Sequence, residues 1–139
     1  MKEIFKGVKP IWDTFANPVQ LVCGDYYILA IKEAKEPHLL SADHLGVPLA
    51  AGACDAAVLR LQNHTNAKRM RLSFMTETDA TWQTRDFDVV PDDLEDRIYV
   101  VPLASTGTLR QMKLDFTVDG VPVTGTCRLD YIWLGTLPR

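Results

Sequence analysis

No stretch of this sequence is apolar for the length a membrane-spanning helix needs. The first ten residues, Met1 to Pro10, carry Lys2, Glu3, Lys6 and Lys9 in place of the apolar run of a secretory leader. The chain as given therefore reads as soluble, with no membrane partner. A mature extracellular or cell-surface module would lack its leader equally, so compartment stays open. Blocks of like charge are also missing. The 15 Lys and Arg and 18 Asp and Glu are dispersed and sum to −3, which removes the electrostatic footprint that binding a phosphate backbone requires and excludes nucleic acid as a partner. The densest basic run, Lys68-Arg69-Met70-Arg71, alternates with apolar residues and reads as the solvent face of a strand. Cysteine is scarce: Cys23, Cys54 and Cys127 are odd in number and show no C-x-x-C spacing, so neither a zinc knuckle nor a complete disulfide framework is signalled. One pair could bridge, but each lies in or beside an apolar segment, where buried free thiols are the commoner state. Catalytic signatures are lacking as well. His38, His44 and His64 have no metal-ligand spacing and no G-x-S-x-G elbow occurs. Asp92, Asp93, Glu95 and Asp96 crowd into one turn, whereas glycoside hydrolysis needs two carboxylates facing each other across a cleft. A protein that is not an enzyme follows.

What is present is a composition of 47% hydrophobic and 24% charged residues over 139 positions, the profile of one globular domain spanning residues 1–139. Short alternating runs recur with Gly, Pro, Asn and Asp clusters between them, and helical periodicity is weak. In Lys68 to Met75 the side chains of Met70, Leu72 and Phe74 share one face, and Arg69, Arg71 and Ser73 the other. Tyr26 to Ile31, Ala57 to Asn63, Arg85 to Val89, Ile98 to Leu103, Leu109 to Phe116 and Thr126 to Leu134 read as further strands. Turns are expected at Cys23-Gly24-Asp25, Gln62 to Asn66, Pro91-Asp92-Asp93 and Val118-Asp119-Gly120, the last as a hairpin between two long strands. Pro37, Gly46, Pro48 and Gly52 forbid a long helix over Glu33 to Ala53, where a short strand at His38 to Leu40 and an extended loop are expected. The fold class is all-β, two antiparallel sheets packed as a sandwich.

Several segments, in order, carry a resemblance. They are Glu36-Pro37-His38-Leu39-Leu40-Ser41; Ala57 to Asn63, with Arg60 inside the strand and Asn63 at its end; Lys68 to Asp79 followed by Trp82; Arg97 to Leu103; Gly107-Thr108-Leu109-Arg110-Gln111-Met112-Lys113-Leu114-Asp115; and Arg128-Leu129-Asp130-Tyr131-Ile132-Trp133-Leu134. The series resembles the galactose-binding-like, jelly-roll β-sandwich domains of the carbohydrate-binding-module type, from about Glu36 to Leu134, with Trp12 to Phe15 as a weaker opening strand. Glu36 replaces the usual Asp, and Lys113 stands where Arg is usual. The resemblance implies a noncatalytic module that holds a glycan through a loop edge or a sheet face. The alternative is a structural or protein-interaction sandwich, accessory to a larger glycan-active protein or forming homo-oligomers.

A sugar site wants an exposed aromatic platform beside planar or charged hydrogen-bonding groups. Trp82, placed in a polar loop, is the first candidate, against folding of its ring over the sandwich edge. Trp12 and Trp133 read as packing residues. Arg60, Arg71, Arg85 and Asn63, with Gln83 and His44, are the polar candidates, each against the simpler reading of a solvated sheet residue. Arg60 and Arg71 would share an outward face if their strands were neighbours. Calcium is the cofactor the resemblance admits, with Asp13, Glu33 and Asp130 as carboxylate ligands. Only Asp130 matches a family position, and its simpler reading is a hydrogen-bonded carboxylate fixing a strand end or bulge.

Overall fold

The structure, a computed structural model, describes residues 2–3, 12–15, 19–21, 27–34, 37–41, 43–52 and 54–135. Among residues 1–36 only the side chain of Ile31 is described, so those of Trp12, Asp13 and Glu33 lie outside the described set, as does the turn expected at Cys23 to Asp25.

Alternation dictates strands, and the described residues form them: β1 (Lys2–Glu3), β2 (Trp12–Phe15), β3 (Val19–Leu21), β4 (Tyr27–Ala34), β5 (His38–Ser41), β6 (Val47–Leu49), β7 (Ala56–Thr65), β8 (Arg69–Thr76), β9 (Asp79–Asp88), β10 (Arg97–Pro102), β11 (Gly107–Asp115) and β12 (Val123–Gly135). They build two six-stranded antiparallel sheets. Sheet A has the order β10-β7-β12-β4-β3 with β1 also on β12, and sheet B the order β2-β5-β11-β8-β9 with β6 also on β11. This is the sandwich that the alternation implies.

The inner faces meet in one core. Met70, Leu72 and Phe74 of β8, Leu109, Met112 and Leu114 of β11 and Leu39 of β5 pack across the interior, facing Leu59 and Leu61 of β7 and Cys127, Leu129, Ile132 and Leu134 of β12. Removing a side chain of this size from water contributes about 1.5–3 kcal/mol. Because the side-chain period is two, burying these residues commits their neighbours in the chain to the outer faces. Arg71, Lys113 and Asp115 lie outside for this reason, and so does Arg60 on the other sheet.

Three local expectations are corrected. First, Val118-Asp119-Gly120 is not a hairpin, because β11 belongs to sheet B and β12 to sheet A. The turn crosses the end of the sandwich, anchored by Phe116, which is fully buried and donates its N–H to the Pro37 carbonyl at 3.0 Å. Turn chemistry is local and does not report which sheet the next strand joins. Secondly, β7 runs on through Thr65, so the expected turn at Gln62 to Asn66 shrinks to the residues after Thr65. Thirdly, the extended loop after β5 contains β6, which pairs Val47, Pro48 and Leu49 with Leu109, Thr108 and Gly107.

One glycine is required by close approach. A Cβ at Gly125, where φ is +135°, would come within 2.2 Å of the His64 carbonyl oxygen and 2.8 Å of Thr65 Cα. Residue 125 lies where β12 shifts register against β4, and only a residue without Cβ lets β7 pass so close.

Candidate functional site

The outer face of sheet B carries a polar, registered array. Asp86 on β9, Arg71 on β8, Asp115 on β11 and His38 on β5 stand opposite one another in a row across four strands. At 4.7–4.9 Å between strands the row spans roughly 14 Å. The next row holds Thr84, Ser73 and Lys113. Trp82 lies two residues further along β9 from Thr84, on the same face. Together with Thr117, Val118 and Gly120 of the crossover, these residues line a groove of about 540 Å³, with Asp86 bordering it.

Charge in the groove is paired within it. Asp86 accepts from Arg71 Nε at 2.6 Å and from Nη2 at 3.1 Å. This forked pair holds the Asp86 carboxyl below the usual carboxylate range and raises the Arg71 guanidinium, with Asp115 adding a smaller attraction to Arg71. Lys113 Nζ lies 4.0 Å from Asp115 Oδ2 and 5.2 Å from the centroid of the Trp82 ring. Ser73, the register partner of Lys113 on β8, is small and buried. A second cavity of about 380 Å³, between Ala51, Asp55, Ala104, Ser105 and Thr106 at one end of the sandwich, has no aromatic wall.

The candidates from sequence separate into those the groove gathers and those it does not. Trp82 is in the groove, but on a strand and not in a loop, because β9 begins at Asp79, six residues before the expected Arg85. Arg71 is in the groove. Arg60 is not, since β7 and β8 lie in different sheets, so the two arginines face opposite sides of the molecule. Arg60 instead donates to Asp130 Oδ2 at 2.8 Å and lies 3.5 Å from Asp96, which also takes Arg128 at 2.8 and 3.0 Å. Arg85 points along the sandwich edge: its guanidinium donates to the Leu103 and Thr84 carbonyls and sits 5.2 Å over the Phe74 ring. It closes the gap between β9 and the end of β10. Asn63 is fully buried and braces the turn into β8 by donating to the Ala67 and Val90 carbonyls. Gln83 donates to Ser105, and His44 meets Glu77 at 3.2 Å, both away from the groove.

Asp130 occupies the register shift between Leu129 and Tyr131, where its carboxylate is engaged by Arg60. A calcium site wants several hard oxygens around one point. Among the described residues no group of three or more His, Cys, Asp or Glu is placed to hold a metal ion, and the surroundings of Asp130 fit an arginine instead.

His38, Lys113, Asp115, Ser73, Thr84 and Thr117 of the groove, with Asp86 at its border, were not among the site candidates from sequence. Parity alone puts Lys113 and Asp115 outside, because Met112 and Leu114 go in. The cross-strand register that sets them beside Arg71 and Trp82 is not a local property.

No protein-family profile matches the sequence, and a search of curated proteins gives no match. Solved structures do match in fold. A family 29 carbohydrate-binding module, solved as a Glu-to-Arg variant, aligns with TM-score 0.66 at 10% identity over 97% of this chain and 88% of its own. A Lys-to-Ala variant of the CBM29-2 module, complexed with cellulohexaose, aligns with TM-score 0.63 at 13% identity over 97% and 89%. The CsCBM6-3 module of Clostridium stercorarium, in complex with cellobiose, gives 0.56 at 13% over 91% and 88%. The chain shares the two-sheet β-sandwich fold of these modules.

Proposed function

We propose that this chain is a noncatalytic carbohydrate-binding module whose site is the groove on the outer face of sheet B. One observation carries the reading. Trp82, half-buried, stands on an open sheet face among Arg71, Lys113, Asp115, His38, Ser73 and Thr84. A pyranose offers an apolar C–H face for an aromatic ring and a rim of hydroxyls for charged and hydroxyl partners, and this groove offers both complements. Arg71 and Lys113 have carboxylates beside them on the same face, which supports an uncharged glycan. The fold neighbours with cellulohexaose and cellobiose make a β-linked glucan the first ligand to test.

Arg71 holds Asp86 in its ionised form, the opposite of what a general acid in glycoside hydrolysis requires of that residue. The competing reading, a structural or protein-interaction sandwich, has less support, because Trp82 is only half-buried and lines the groove. Affinity electrophoresis against soluble β-glucans, mannans and xylans tests the proposal. Retardation by at least one glycan, lost in Trp82→Ala and kept in Arg60→Ala, is the expected result. Equal mobility in every gel, at protein concentrations that register millimolar binding, would overturn it.

A further inference from the structure

We infer that Lys113 is a resident competitor for the stacking face of Trp82, so that this side chain sets the affinity of the groove by occupying its platform. The inference rests on the proposed glycan-binding reading. Lys113 on β11 reaches across β8 toward β9, and Ser73, its partner in register, is small enough for the lysine stem to lie over it. An ammonium arriving from that direction approaches the indole from the groove side, the side a sugar would use. Its Nζ is 5.2 Å from the ring centroid, within the range of cation–π attraction, and the Lys113 side chain is only 28% exposed.

The other attachment of Lys113 is loose. Asp115 Oδ2 is 4.0 Å away, beyond hydrogen-bond reach, and the two residues are on one strand two positions apart. Arg71, by contrast, is fixed by its forked pair with Asp86 and has no ring beneath it among the described contacts. Lys113 is thus the cation whose position depends on Trp82. A pyranose stacking on the ring must first move the ammonium off it, and the attraction lost is subtracted from the binding energy.

Competition and direct contact predict opposite orders of affinity. If Lys113 competes, Lys113→Met frees the ring and tightens binding roughly two- to five-fold, the factor expected for an exposed cation–π contact. Lys113→Arg weakens it, because a guanidinium stacks on an indole better than an ammonium does. If Lys113 is instead a hydrogen-bond donor to the sugar, Met loses affinity and Arg retains it.

The experiment is calorimetric titration of wild type, Lys113→Met, Lys113→Arg and Trp82→Ala with cellulohexaose or whichever glycan retards the wild type. It is paired with NMR of the ligand-free proteins, reading the Lys113 side-chain methylene shifts. The inference expects affinities in the order Met above Lys above Arg, and upfield Lys113 methylenes that return to ordinary positions in Trp82→Ala. Binding by wild type with Lys and Arg equal and Met weaker would overturn the inference and leave the glycan-binding reading standing. Lys113 methylenes indifferent to Trp82 would overturn it without reference to any sugar. Absence of binding in all four proteins would overturn both.

Discussion

Asn63→Ala separates a brace from a ligand contact. In the native chain Asn63 Nδ2 donates to the Ala67 carbonyl at 2.9 Å and the Val90 carbonyl at 3.0 Å, while Oδ1 accepts from Thr65 Oγ1 at 2.5 Å. The same turn is tied by Asp93 donating its N–H to the Asn63 carbonyl at 2.8 Å, so the side chain secures the loop after β9 to the end of β7. Alanine removes the donors and leaves their acceptors behind. A buried polar group left without its partner costs about 1–3 kcal/mol. The Ala67 carbonyl bears that in full. The Val90 carbonyl, nearer solvent, regains part from water, and Thr65 keeps its bond from the Ala67 N–H at 3.1 Å. The sum is about 2–4 kcal/mol, which for a domain of this size lowers Tm by roughly 6–16 °C. Urea unfolding followed by far-UV circular dichroism should show the midpoint fall with the slope unchanged. Glycan affinity of the folded variant should stay within about two-fold. An unchanged midpoint together with lost binding would refute the reasoning and return Asn63 to the ligand site.

Arg85→Ala should cost about 1–2 kcal/mol by urea unfolding, from the lost bonds to the Leu103 carbonyl and the cation over Phe74, with glycan binding retained. Lost binding at full stability would contradict its place at the sandwich edge. Burial pushes the Cys127 thiol up to about 12, so at pH 8 iodoacetamide should leave it unmodified until denaturant is added. Mass spectrometry of the peptides that finds Cys127 labelled in the native protein would be the contrary result. Arg110, Arg71 and Arg97 hold Asp43, Asp86 and Asp93 below the usual carboxylate range. A carboxylate depressed in the folded state contributes stability that is complete above its unfolded pKa, about 3.9, and is lost as pH falls through the lower folded value. Urea midpoints at constant salt should therefore drop below about pH 4, and a rise there would count against these pairs.

The fold was legible where one face of a strand is apolar. Met70, Leu72 and Phe74 announce β8, and Leu109, Met112 and Leu114 announce β11, because burial of one face imposes a period of two. The start of β9 was not legible for the converse reason. It is an edge strand, and its inward residues Gln83 and Arg85 are polar groups that seal the sandwich rim, so Asp79 to Thr84 shows no apolar alternation and reads as loop. Trp82 lies in that stretch, so alternation does not reveal its place on the sheet. The proposed groove was legible only in part. Trp82 and Arg71 line it, whereas Arg60, Arg85 and Asn63 lie elsewhere, bonded to other groups of the sandwich. What distinguishes the two groups is sheet membership and cross-strand register, fixed by contacts between distant segments and not by residue type.

The central claim is that the outer face of sheet B is the glycan site. Titration of the ¹⁵N-labelled protein with cellulohexaose, or with whichever glycan retards it in the gel, tests this most directly through amide and indole shifts. The account predicts that the Trp82 indole and the amides of Arg71, Ser73, Thr84, Lys113 and Asp115 move together with one affinity. Shifts gathered instead around Arg60, Asp96 and Arg128 on sheet A, or no saturable shift from any glycan, would contradict it.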